Sequence, residues 1–422
     1  MTISNPKLTL LFTVGLGGLA TQANADVFTP HFPVQELHSV RGGNTPGSFA
    51  AAAMMGAHGY NNTAAAGGWE DTLIGTCTNS SPGSLWPFSC NPDGMARSTA
   101  VYSANNWIKS VFTDADQPSA LSTTLSAMQN LHSPAVVPIF GQADHWLTIT
   151  QITATLVGST WNISQVQGFD GGPVGQFDTG GNGYEPGTQI WGGSTWRSIY
   201  FRVITAINPA CDAAGCTSDP YYNHYVVMWE PPVGQEVPLV PTSTAPSPGV
   251  LASGELAMSP ALAQARVWNS LTAAQVDGNA QVWSALHAGV AGAAFEVNGV
   301  FPSGARWDYY LVPIMTSAHS TTAVGFVQMS TDDGSFDGLQ VPTTAVPFVP
   351  VTKARAEQVA ASVLTAGETL GAGILTWDPR ANAGFAKSPT KPYYEFPVLS
   401  ATGGAAGVVR VPLIVAKPVR GS

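Results

Sequence analysis

The chain has 422 residues, long enough for two domains with separate cores. Only 10% of the residues are charged, against roughly 25% in an average globular protein. The formal charge of −10 comes without any Lys/Arg cluster, which argues against a nucleic-acid-binding or anionic-membrane surface.

The first 25 residues read as a cleavable signal peptide. Lys7 is their only charge, Leu8 to Leu19 is apolar, and Ala23-Asn24-Ala25 offers small residues at the cut. The apolar stretch is short and interrupted by Gly15, Gly17 and Gly18, so it reads as a leader and not as a membrane span. No later segment has the length of unbroken apolar sequence a span needs, so no membrane insertion is expected. Export to the periplasm or the outside is the expectation.

After the leader, Phe49 to Tyr60 reads as a buried helix, Asp93 to Phe112 as a second helical region, and Ala120 to Leu131 as a third. The pattern then turns to β-branched and aromatic residues. Strands are expected over 135–140, 145–156, 161–169, 196–207 and 221–229. Residues 231–248 hold six prolines among Ser and Thr, a composition that prefers an extended linker. Beyond it, 260–286 and 353–366 read as helices, and strands are expected near 292–297, 307–315, 321–329, 373–377, 393–399 and 407–416. Asp332-Asp333-Gly334 reads as a hairpin turn. Tyr309-Tyr310-Leu311-Val312-Pro313 resembles Tyr393-Tyr394-Glu395-Phe396-Pro397-Val398 and hints at a repeated unit.

The expected fold class is therefore α+β. Residues 26–230 form a domain of helices followed by an antiparallel sheet, 231–250 a Pro-rich linker, and 251–422 a smaller α+β accessory domain. The four cysteines, Cys77, Cys90, Cys211 and Cys216, form an even set in an exported chain. The nearest pairings, Cys77–Cys90 and Cys211–Cys216, read as disulfides. A zinc site is the alternative, weakened because neither pair is a CxxC and no His stands at ligand spacing. Nothing else in the sequence calls for a metal or cofactor.

One constellation carries chemistry. Gly42-Gly43-Asn44-Thr45-Pro46-Gly47 leads into Ser48-Phe49-Ala50-Ala51, Asp144-His145-Trp146-Leu147 opens a strand, and Gly168-Phe169-Asp170-Gly171-Gly172 closes another. This order resembles the papain-like cysteine peptidases of the bacterial bacteriocin-processing type. The resemblance covers roughly residues 35–175. It implies a papain-like first domain, with Ser48 at the place of the nucleophilic cysteine, His145 as general base and Asp170 as the residue orienting the imidazole. The accessory domain resembles cystatin-like or propeptide-like modules, which implies a cover for the cleft.

The replacement of Cys by Ser at position 48 matters chemically. A helix N-terminus and an imidazole convert a thiol to a thiolate, whereas a serine hydroxyl must lose its proton during attack. The oxyanion-donor position six residues before the nucleophile is Gly42, and Gln35 lies thirteen before it. Cys90, ahead of a helical region, is the only cysteine placed to substitute. Each residue also has a structural reading: Ser48 as an N-cap, His145 as a half-buried imidazole, Asp170 as a turn residue. The expectation is an exported peptidase homologue that has lost its chemistry and binds a peptide or protein. The alternatives are an active hydrolase using Ser48, His145 and Asp170, and a non-enzymatic surface or structural protein. His287 and His319 read as isolated, and Trp268, Trp283, Trp307 and Trp377 as core anchors.

Overall fold

The computed structural model describes residues 26–28, 92, 96, 108–131, 135–138, 146–157, 160–170, 187–204, 221–229, 258–300, 306–378, 388–414 and 419–421. Their strands are β1 (Asp26–Phe28), β2 (Ile108–Thr113), β3 (Ala135–Pro138), β4 (Trp146–Val157), β5 (Thr160–Asp170), β6 (Gly187–Gly192) and β7 (His224–Trp229). Then come β8 (Val290–Ala291), β9 (Phe295–Val300), β10 (Arg306–Met315), β11 (Thr322–Ser330), β12 (Phe336–Pro342) and β13 (Val346–Pro347). The last are β14 (Thr369–Leu370), β15 (Ile374–Trp377), β16 (Tyr393–Leu399), β17 (Ala405–Pro412) and β18 (Val419–Gly421). The longer helices are α1 (Gln117–Leu131), α2 (Pro260–Ala273), α3 (Ala280–His287) and α4 (Lys353–Ala361).

All of these strands belong to one sheet. Its main row runs β2-β7-β3-β4-β5-β6-β12-β11-β10-β9-β15-β16-β17-β18. Every neighbouring pair is antiparallel except β9 with β15. The expected fold class is thereby corrected: a large mixed sheet with few helices replaces the papain-like order of helices then sheet and the smaller cystatin-like module. Antiparallel strands need only tight turns between them, so strand pairing runs on to join segments on either side of the expected linker. The expected linker, 231–250, lies outside the described residues. Strands before and after it are hydrogen-bonded neighbours, β6 with β12.

That seam is set by geometry at its end. Gly187 faces Asp170 on one side and Pro342 on the other. Its φ is +152°, and a Cβ there would fall 2.2 Å from the Val341 carbonyl oxygen. Only glycine meets both conditions. Further along, Ile190 faces Leu339, both buried.

The sheet is covered on both faces. Along β10, Tyr310, Val312 and Ile314 join a core with Ala263, Val267 and Leu271 of α2 and Val282 and Leu286 of α3. Tyr309 and Leu311, pointing the other way, join a second core with Trp191, Trp196, Tyr200, Trp377 and Phe396. The period-2 alternation of strand side chains separates the two. α1 packs Ala120, Leu121, Leu125 and Met128 into the second core over β3, β4 and β7.

The repeated unit hinted at by the tyrosine pairs is present. Tyr309 and Tyr310 face Ser330 and Met329, while Tyr393 and Tyr394 face Pro412 and Val411. Both strands shift register at the same place, between Ile314 and Met315 and between Val398 and Leu399, after which Met315 faces Ala323 and Leu399 faces Ala405. A two-residue strand flanks each shift, β8 on β10 and β14 on β16. Gly292 N–H then donates to the Pro313 carbonyl at 2.8 Å, and Gly371 N–H to the Pro397 carbonyl at 2.7 Å. The unit, a helical segment followed by five strands of which the first is a two-residue piece, thus occurs twice, from α2 to β12 and from α4 to β18. Their matching members β9 and β15 meet in parallel, which relates the copies by an axis along the strands. Accordingly α4 sets Ala356 and Ala360 into the core opposite to that of α2 and α3.

Local differences from the sequence reading have local causes. The expected helix over 260–286 is two helices: Gln275 adopts φ +60° between them, and Asn279 caps the second through Val282 N–H at 3.1 Å. The end of the expected helix over 93–112 is strand β2, because Ile108 to Thr113 finds an edge to pair with on β7. The expected strand over 196–207 begins instead as a helical turn, Gly193–Thr195 continued by Trp196–Tyr200. The buried Trp196, Ile199 and Tyr200 need that curvature to reach the core together. The expected helix over Phe49 to Tyr60 and all four cysteines lie outside the described residues.

Replacing Gly187 with Ala should cost about 3 kcal/mol of stability, since both the backbone conformation and the approach to Val341 oppose a methyl group. Urea titration followed by tryptophan fluorescence checks this. Wild-type stability in that variant would refute the account of the seam.

Candidate functional site

Ser48 and His145 lie outside the described residues, as does the side chain of Asp170. What the backbone does show concerns Asp170 and the residue after His145. Trp146 opens β4 and Asp170 closes β5. These strands pair antiparallel with Thr148 opposite Phe169. The start of one and the end of the other therefore lie at one end of one hairpin, beside the Gly187 end of the β6–β12 seam.

The described side chains gather their buried polar chemistry elsewhere, around β12. Asp337 accepts a hydrogen bond from Trp307 Nε1 and another from Thr195 Oγ1, each 3.0 Å. Thr195 stands in the helical turn after β6, so this carboxylate ties that turn to β10 and β12. Burial of the carboxyl group pushes its pKa up to about 6. The two hydrogen bonds pull it down, and Asp333 and Asp332 add repulsion. Close by, Tyr200 Oη donates to Gln328 Oε1 at 3.0 Å. Desolvation raises the Tyr200 phenol far above its ordinary value, so it stays a neutral donor.

A second set of bonds continues along the same strands. Tyr309 Oη donates to the Pro389 carbonyl at 2.5 Å, and Thr390 Oγ1 donates to Gln340 Oε1 at 2.6 Å. Ser388 and Thr390 share a hydroxyl contact of 2.8 Å, and Lys391 N–H closes a turn on the Ser388 carbonyl at 3.0 Å. The turn is buried, Ser388 at 1% and Thr390 at 3% exposure, although its composition suits a surface. Burial also raises Tyr309 well above the usual phenol range, so it remains a hydrogen-bond donor throughout the working pH range.

No motif in the sequence marks these polar groups. Asp337 sits in Phe336-Asp337-Gly338, which carries no motif, and Gln328 and Gln340 are the only polar members of their strands' buried runs. One available signal is a glutamine where alternation calls for an apolar residue. Gly338 is a further sign: a Cβ there would lie 2.5 Å from Gln328 Oε1 and 3.3 Å from Trp191. Trp268, Trp283 and His287, read separately, form one cluster on α2 and α3, with the His287 ring stacked on Trp283 at 5.0 Å. Both tryptophans are partly buried against the helix-side core, as anchors. Asp332-Asp333-Gly334 is the expected turn, with Gly334 at φ +72° and Ser335 N–H donating to Asp333 Oδ1 at 2.8 Å.

Among the described residues no group of three His, Cys, Asp or Glu side chains converges, and no helix is long and apolar enough to cross a membrane. No family model, no curated protein and no solved structure matches the chain.

The raised Asp337 carboxyl makes stability depend on pH with a definite sign. Below the ordinary value of 3.8 both folded and unfolded forms hold the proton and no penalty arises. Between there and about 6 the folded form holds a proton that the unfolded chain has released, so stability falls as pH rises. Two units correspond to about 3 kcal/mol. Asp337→Asn should flatten this segment of the stability profile, measured by denaturant midpoints at pH 4, 5, 6 and 7. An unchanged slope would show that the carboxyl does not titrate there.

Proposed function

We propose that this chain is an exported protein that binds peptides or proteins and does not hydrolyse them. What supports the reading is the way its buried polar groups are spent. A phenol donates to a peptide carbonyl, and a carboxamide accepts from a threonine hydroxyl, both belonging to a turn of polypeptide. These contacts recognise backbone and small hydroxyl side chains without a nucleophile or base among them. Asp337, whose carboxyl is raised to about 6 by burial, is held by Trp307 and Thr195 and ties elements together. The leader over residues 1–25, the low charge and the expected disulfides fit a protein working outside the cytoplasm.

A second reading, hydrolysis by Ser48, His145 and Asp170, is favoured by one observation: β4 starts and β5 ends at the same end of a hairpin. Such an arrangement suits a base and its orienting carboxylate.

Labelling of the purified mature protein with a serine-reactive fluorophosphonate separates the two. Binding without hydrolysis predicts no label at Ser48, and retention of peptides from a random library without cleavage products. Labelling that disappears in Ser48→Ala, with cleaved peptides in the eluate, would establish the hydrolase.

A further inference from the structure

Among their connections between strands, the two copies of the repeated unit differ most in one. Between β9 and β10 the chain crosses in five residues, 301–305, whereas between β15 and β16 it takes residues 378–392. Connections longer than about a dozen residues are uncommon in a compact fold, and where they are not linkers they are usually functional. The last part of the longer one, Ser388 to Pro392, leaves its own unit and is buried against the other. Tyr309 of β10 and Gln340 of β12 hold it, and Leu413 N–H fastens its exit by donating to the Pro392 carbonyl at 2.9 Å.

We propose that Ser388–Pro392 is an intramolecular peptide ligand. It fills a site on the first copy of the unit that takes a Ser/Thr-Pro turn, and its opening exposes that site to an equivalent turn from another polypeptide. The inference rests on the peptide-binding reading above and names the site and ligand class for it. The recognising groups are built in advance. Tyr309 is fully buried and clamped by the stacked Trp307 ring at 4.4 Å, so its hydroxyl is fixed on the carbonyl after Ser388. Gln340, 3% exposed, offers its carboxamide oxygen to the threonine hydroxyl. Gln328 and Tyr200 satisfy each other next to it. The turn's composition does not by itself demand burial: Ser, Pro, Thr, Lys and Pro are mostly surface residues. Its place in the core is explained by recognition better than by hydrophobic gain. Because the turn closes on itself through Lys391 N–H and the Ser388 carbonyl, it moves as a preformed piece, which lowers the entropy cost of docking.

The test uses the mature full-length chain in two forms, wild type and Ser388→Ala/Thr390→Val, which weakens the turn's hold and leaves Tyr309 and Gln340 intact. The probe is a fluorescent peptide with the sequence of residues 386–392, read by anisotropy. The double variant should bind it at least tenfold more tightly than the wild type, and a probe with Val in place of Thr should lose that gain. Equal binding by both forms, or none by a folded variant, overturns the proposal. Hydrogen exchange on the wild type stands independently of whether the variant folds. The amides of Lys391 and Leu413 should exchange through a local opening, faster than those of Val312 and Val327. Exchange of all four at one global rate would overturn it. Neither result depends on whether Ser48 reacts, so failure here is distinct from discovery of a hydrolase.

Discussion

The pairing of β6 with β12 is the constraint on which the rest of the structure depends. It joins segments of chain separated by the proline-rich stretch and turns two groups of strands into one sheet. Its backbone hydrogen bonds fix the register in which Ile190 meets Leu339 and Gly187 meets Pro342. A one-residue slip would send Trp191 to the helix-covered face and Ile190 into the aromatic core. Gly187 and Gly338 protect that register from both sides, one through backbone conformation, the other by leaving room for Gln328 and Trp191.

Once the seam exists, the polar interior follows. Thr195 arrives beside Asp337 because the helical turn follows β6 directly, and Trp307 arrives because β10 lies two strands beyond β12. The corner between α2 and α3 is drawn to the same region from the other face. There Gln165 Nε2 donates to the Ala274 carbonyl at 2.8 Å and Asn279 Nδ2 to Gln167 Oε1 at 2.7 Å. The helices of the later chain are therefore pinned on a strand of the earlier chain. Buried polar bonds of this kind add modestly to stability, but each is costly to break because the partner is left unsatisfied.

Duplication explains why the sheet grows so wide without becoming irregular. Each copy brings its own helix, its own broken first strand and its own register shift, so each local rule is satisfied twice. The parallel meeting of β9 and β15 sends the helices to opposite faces, and both faces of the sheet gain cover. The tyrosines that mark the repeat have diverged in use. Tyr309 donates to Pro389, whereas Tyr393 lies under the guanidinium of Arg410, which bonds Glu395 at 2.7 Å.

The sequence by itself determined where most strands and helices fall, because apolar alternation and caps act over a few residues. Ala135–Pro138, Trp146–Val157, Arg306–Met315 and Tyr393–Leu399 were all legible in this way, as was the kinship of the two tyrosine pairs. Only the tertiary structure decided which strands became neighbours. Hydrogen bonds between β6 and β12 use backbone groups that every residue carries, so no side-chain pattern announces them. The same limit hid the buried cluster. Asp337, Gln328 and Gln340 look like ordinary polar residues until the strands bring Trp307, Tyr200 and the Ser388–Pro392 turn within hydrogen-bond reach. Periodicity reports which side of a strand is buried, while partnership across the sheet is settled by register and topology.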